Sequence, residues 1–171
     1  TVKISSLKEK MRQALDSTKR VISEDFSIIN EKKINPNDNR LEMMKVENLS
    51  SPEDFIRLRA EFDTSALEKK FSNKEIFKEN LPKNPSCKAL YILAEKTRYE
   101  LLGFQMLKGI EKNLTQNYYH MMNAKKEHKI NTKEDVVVSE AFELYLLKNF
   151  QKIKLNSFSE KKLSFWEKDF D

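Results

Sequence analysis

The stretch Asn84-Pro85-Ser86-Cys87-Lys88-Ala89-Leu90-Tyr91-Ile92-Leu93-Ala94-Glu95-Lys96-Thr97-Arg98-Tyr99-Glu100-Leu101-Leu102-Gly103 decides how this chain is read. Asn84 suits a helix cap, and Pro85 fits the first helical position, where its missing N–H is no loss. At about 100° per residue, Ala89 to Ala94 go all the way round the helix. A helix apolar on every side is a central, buried one. The predicted fold is therefore mainly α, a multi-helix domain around a long central helix running from about 85 to 113 or beyond.

One stripe of that helix is different. On the same angular count Tyr91, Glu95, Arg98, Leu102, Gly109 and Asn113 fall within a sector of roughly 60°. Charged residues on such a helix are too costly to bury without partners. Arg59 and Asp63, one turn apart on the preceding long helix, are the expected ones, as Glu95–Arg59 and Arg98–Asp63 pairs. Glycine costs about 1 kcal/mol against alanine inside a helix. Gly109, and with it Gly103, is therefore expected to mark a point of close helix packing.

Working outward, Leu81-Pro82-Lys83-Asn84-Pro85 is the clearest internal boundary. A short helix is predicted around 74–79. Ser51-Pro52-Glu53-Asp54 starts a longer one, with Phe55, Leu58, Phe62, Ala66 and Leu67 at helical spacing. Met11, Leu15, Thr18 and Ile22 continue a stripe from Leu7 that predicts an N-terminal helix to about residue 24. Between the two, Phe26 to Ile29 and Leu41 to Val46 flank the turn signal Asn35-Pro36-Asn37-Asp38-Asn39, and a small β-hairpin is predicted near 26–46. Downstream, a helix opens at Thr132 to Asp135, and a last short one at Ser159 carries Leu163, Trp166 and Phe170.

Composition agrees. Only two of 171 residues are glycine, and one is cysteine. Such a chain builds few positive-φ corners. Neither G-x-x-x-x-G-K-[ST] nor G-x-G-x-x-G can be written with it, which excludes glycine-rich phosphate loops. The formal charge of +5 raises the question of a nucleic-acid partner. Against it, only six of the 32 basic residues are arginine, and 27 acidic residues are mixed among them. The reading is a mixed-charge surface with no nucleic-acid partner. Cys87 can form no internal disulfide, which suits a reducing compartment, and no stretch is apolar enough to span a bilayer. Cytoplasm is the expected location.

Little else suggests chemistry. His120 and His128 lie eight residues apart, about 12 Å along a continuous helix, too far for one metal ion. Cys87 reads as helix-start packing rather than a nucleophile. Tyr118-Tyr119-His120-Met121-Met122 reads as an edge of the core, with base stacking as the alternative. No catalytic, cofactor or metal residue is expected in this chain.

The run Ala89-Leu90-Tyr91, Glu95-x-x-Arg98-x-Glu100-x-Leu102-Gly103 and Gly109-x-x-x-Asn113-Leu114 resembles the N-terminal region of the CobT family. Arg59-x-x-x-Asp63 and Leu81-Pro82 fit it more loosely, and Ile92 and Tyr99 depart from it. The resemblance covers most of the chain, but only about 87–114 is specific. CobT is a subunit of the aerobic, ATP-dependent cobaltochelatase, which inserts cobalt into hydrogenobyrinic acid a,c-diamide during cobalamin biosynthesis. The resemblance implies a single helical domain over 1–171, the N-terminal part of a longer subunit. The family's acidic linker and C-terminal von Willebrand A domain have no counterpart in it. It further implies a non-catalytic scaffold or docking role. The partners would be a CobS-like AAA+ ATPase, a CobN-like large subunit and further copies of the chain, with ATP, magnesium and cobalt used by the whole complex. The alternative it leaves open is an adaptor of an AAA+/von Willebrand A chaperone pair serving another metal-cofactor enzyme.

Overall fold

A computed structural model describes residues 2–24, 50–125 and 128–171. The hairpin expected near 26–46 lies outside the described residues. Among those described there is no strand, and the structure is mainly α. By its internal contacts the chain divides into two compact units, Thr1–Lys70 and Phe71–Asp171. The division falls before the Leu81–Pro85 segment that the sequence marks as its clearest boundary.

The first unit holds α1 (Val2–Ser23) and most of α2 (Pro52–Phe71). Leu15, Leu58 and Phe62 form its core, with Met11 packed against them. The N-terminus of α2 follows from Ser51-Pro52-Glu53-Asp54. The Ser51 hydroxyl accepts from the Asp54 N–H at 3.1 Å, and Asp54 Oδ2 accepts from the Ser51 N–H at 3.2 Å. This reciprocal pair satisfies amides that the helix itself leaves bare. Leu58, Phe62, Ala66 and Leu67 are buried as their spacing predicts, whereas Phe55, a turn from the start, is exposed.

The second unit holds α3 (Lys74–Glu79), α4 (Pro85–Met106), α5 (Lys108–Ala124), a 3₁₀ turn (Lys133–Asp135), α6 (Val138–Asn149), α7 (Ser157–Ser164) and α8 (Glu167–Phe170). Asn73 caps α3 and Asn84 caps α4, each through two amides. Helix α4 packs on α5 and α6, and α6 in turn on α7 and α8. Ile130, Val136, Ala141 and Phe158 form a core cluster, closed by Phe165, Trp166 and Phe170. Glu140 sits beside it, accepting from Lys125 at 2.6 Å and from the buried Lys162 at 2.9 Å. Burial alone would push the Glu140 carboxyl up, but the two ammonium groups outweigh it and hold the carboxyl low.

Three expectations are corrected in this unit. First, the central helix is two helices. Leu107, at φ −144° and ψ 116°, is extended and separates α4 from α5. The chain folds back there: the Tyr118 hydroxyl reaches Glu100 at 2.8 Å. Eighteen residues of continuous helix would hold the two roughly 27 Å apart. The helix predicted to open at Thr132 likewise starts later, at Val138, after the 3₁₀ turn.

Second, α4 is not buried along its length. Thr97, Tyr99, Glu100 and Gly103 are buried, but Ala89 to Ala94 are half-buried or exposed, with Ile92 44% exposed. Third, Gly109 is not a packing point. It is exposed at the second position of α5, and a Cβ built on it would meet nothing within 4 Å. Gly103 is buried, and its carbonyl accepts from the Leu107 N–H at 3.0 Å. The two glycines flank the break, where weak helix propensity lets packing choose the turn. With glycine so scarce, Glu24 and Lys152 take the positive-φ positions, at 53° and 57°.

Gly109→Ala should therefore stabilise the protein by about 0.5 kcal/mol, because its backbone is already compatible with a side chain. Gly103→Leu should overpack a buried site and cost roughly 1–3 kcal/mol. Urea unfolding of both variants checks this. A larger loss at Gly109 than at Gly103 would contradict it.

Candidate functional site

The predicted stripe is cut by the fold. Tyr91, Glu95 and Arg98 line a groove with α3, whereas Gly109 and Asn113 belong to α5; Glu100 and Gly103, which lie off that stripe, are in the buried part of α4. The angular count that joined Gly109 and Asn113 to Glu95 and Arg98 requires a straight helix, and Leu107 ends it.

Glu95 and Arg98 form a two-pronged ion pair along α4. Arg98 Nε donates to Glu95 Oε2 at 2.7 Å, and Nη2 to Oε1 at 2.8 Å. The same Nη2 donates to the carbonyl of Phe71 at 2.7 Å, and the Ser72 hydroxyl donates to Glu95 Oε1 at 2.6 Å. Backbone and side chain just ahead of α3 are thus fixed to one side of α4. The Phe77 ring meets Tyr91 one turn earlier, with centroids 5.3 Å apart. Phe71, Asn73, Ile76 and Phe77 form one wall of a groove of about 280 Å³, and Tyr91, Glu95 and Arg98 the other.

Arg59 and Asp63 pair with each other along α2, Nε to Oδ1 at 3.4 Å, with Asp63 almost fully buried. The expected Glu95–Arg59 and Arg98–Asp63 pairs would bridge the two units. The Arg59–Asp63 pair runs along α2 and the Glu95–Arg98 pair along α4.

Glu100 is 0% exposed. Its Oε2 accepts from the Tyr118 hydroxyl and from Gln151 Nε2, both at 2.8 Å. Burial, and then the Glu100 carboxyl beside it, pushes the Tyr118 phenol far up, so it remains a donor across the accessible pH range. Lys96 lies over the Tyr118 ring at 5.2 Å and reaches Glu143 on α6 at 3.8 Å. Tyr118 and Met122 are buried while Tyr119 and Met121 are exposed, as an edge of the core requires.

Sequence reasoning found Glu95 and Arg98 but not Ser72, the Phe71 carbonyl, or the Tyr118–Glu100–Gln151 bonds. A carbonyl acceptor carries no residue signature. The only hint for Ser72 was a polar Ser-Asn step between two helices. Among the described residues no three His, Cys, Asp or Glu side chains gather where a metal ion could be held. No described helix is long and apolar enough to cross a membrane.

The bond from Arg98, then that from Ser72, holds the Glu95 carboxyl below the ordinary glutamate range despite its partial burial. A lowered folded-state value means the pair's contribution is fully present above that ordinary range. It is lost as pH falls through the lower, folded value. Glu95→Gln should therefore lower Tm at neutral pH and make Tm fall less steeply between about pH 5 and pH 3. Parallel acid-side slopes for the two proteins would contradict the pairing.

No curated protein and no solved structure is significantly similar to the chain. The sequence profile of the family described as cobalamin biosynthesis protein CobT matches residues 5–170, nearly the whole length, including the motif from Glu95 to Asn113. This chain is a member of the CobT family of cobalamin biosynthesis proteins.

Proposed function

We propose that this chain is a docking domain of a CobT-like subunit of ATP-dependent cobaltochelatase, the complex that inserts cobalt into hydrogenobyrinic acid a,c-diamide. In this reading a CobS-like AAA+ ATPase supplies the driving force, a CobN-like subunit holds the tetrapyrrole, and cobalt is the substrate of the complex. The chain itself provides shape. The observation that carries the reading is how the family's charged residues are used. Glu95 and Arg98 bond to each other, to Ser72 and to the Phe71 carbonyl, so they fix a surface. Glu100 is closed off inside the second unit, where no substrate reaches it.

That surface is the part of the second unit best suited to a partner. Helix α3 leaves Ile76 exposed in the groove wall, and α4 leaves Ile92 exposed. An exposed apolar side chain set in a groove marks an interaction site more often than one scattered on the surface does. Because α3 and α4 are both capped and joined by the Glu95–Arg98–Phe71 bonds, the surface is preformed, which reduces the ordering cost of association.

Co-expression with the AAA+ ATPase of the same organism should retain the ATPase through tandem affinity purification. Cobalt insertion by the reconstituted complex should then need this chain, the ATPase and the CobN-like subunit together. An ATPase that never co-purifies would contradict the docking role. A stable complex that leaves the corrin untouched would move the role to another metal-cofactor client.

A further inference from the structure

The groove between α3 and α4 has a chemical character that narrows what can fill it. Its walls are apolar at Phe71, Ile76 and Phe77, and one end is polar at Tyr91, Glu95 and Arg98. At that end the bonds are asymmetric. Both oxygens of Glu95 are engaged: Oε1 accepts from Ser72 and Arg98, and Oε2 accepts from Arg98. Arg98 keeps one nitrogen uncommitted, since its Nε and Nη2 are engaged while Nη1 has no acceptor among the described residues. The side chain is 47% exposed. The Tyr91 hydroxyl, close enough to Arg98 to act on it electrostatically, also has no acceptor among the described residues. The polar end of the groove therefore offers Arg98 Nη1 and the Tyr91 hydroxyl as donors, while the Glu95 carboxylate is turned to Ser72 and Arg98.

Charge points the same way. Between Phe71 and Arg98, which build the groove, six basic residues stand against three acidic ones, and one of those three, Glu95, is already neutralised by Arg98. An arginine held rigidly by a carboxylate and a carbonyl, with one amino group left open, is suited to a second oxygen acid. A groove of about 280 Å³ holds one medium-sized side chain with its backbone, not a small protein's whole face.

We propose that this groove binds a short peptide segment of a partner protein, seating one leucine-sized apolar side chain between Ile76, Phe77 and Tyr91 and a neighbouring Asp or Glu carboxylate on Arg98 Nη1 and the Tyr91 hydroxyl. The partner is thus acidic at its contact point. This deepens the docking role proposed above and rests on it for the identity of the partner, though not for the binding itself. Burial of the apolar side chain supplies most of the affinity, and the carboxylate sets orientation and preference.

The test is an amide-shift titration of the ¹⁵N-labelled full chain with a capped hexapeptide carrying one leucine and, two positions later, one glutamate. Shifts should concentrate at the amides of 71–77 and 91–98 and saturate. Replacing the peptide glutamate by glutamine should weaken binding at least threefold, replacing it by lysine should abolish it, and replacing leucine by alanine should abolish it. On the protein, Ile76→Glu changes an exposed side chain that the fold does not need, and it should weaken the acidic peptide at least fivefold. Arg98→Lys, checked for an unchanged far-ultraviolet spectrum, should erase the preference for glutamate over glutamine. Shifts scattered over the surface, or equal binding of the lysine peptide, would overturn the proposal. So would shifts at the groove that grow with protein concentration alone, which would assign it to a second copy. If the peptide binds as described but the ATPase does not co-purify, the groove stands and the ATPase partnership falls. If the ATPase co-purifies with the Ile76→Glu variant as well as with the unaltered chain and no peptide binds, the groove falls and the partnership stands.

Discussion

The second unit depends on one buried carboxyl group. Glu100 sits inside it with no solvent contact, and a group of this kind is tolerated only when donors surround it. Tyr118 and Gln151 donate to it, and they come from two different places further along the chain, 18 and 51 residues on. One is reached only if the chain reverses at Leu107, and the other only if α6 returns past α4. A single acceptor atom therefore dictates where three segments must lie. Lys96 adds to this by lying over the ring that donates the bond while pairing with Glu143 on α6.

Once that side of α4 is fixed, the other side is free to present a surface. Glu95 and Arg98 are five and two residues from Glu100 in sequence yet face α3, and they are more exposed. Their fork fixes the Phe71 carbonyl and Ser72, and with them the start of α3. The groove is thus a consequence of one helix having two uses: a closed face that organises the unit and an open face that is held rigid. Both halves of the family's charged motif thus do positional work in this structure.

Much of this could be read in the sequence, and the failures have definite causes. Caps were legible because they are local: Ser51 with Asp54, and Asn84, act on amides within three residues. The stripe Leu58, Phe62, Ala66 and Leu67 was legible because burial follows period. The break at Leu107 was not, because nothing at that position forbids a helix. It is chosen by the bonds that form eighteen residues apart, which no window of local propensity contains. Gly109 was misjudged for the same reason, since its place on the wheel existed only if the helix was continuous. The all-round apolar stretch from Ala89 to Ala94 was read as buried, but an apolar periphery also fits a helix whose exposed half awaits a partner. Glu100 falls off the stripe of Glu95 and Arg98 on the angular count alone, but its complete burial and its partners depend on the packing of α5 and on the segment after α6.

The central claim is that the Glu100 bonds hold α4 and α5 folded back on one another, and a double-mutant cycle tests it most directly. Urea unfolding would be measured for Glu100→Met, Tyr118→Phe and the double variant. Each single change should cost roughly 1–3 kcal/mol, and the coupling between them should reach at least about 1 kcal/mol, because removing one partner leaves the other buried and unsatisfied. Strictly additive losses, with a coupling within about 0.3 kcal/mol of zero, would show that the two residues do not act through one bond and would contradict the account.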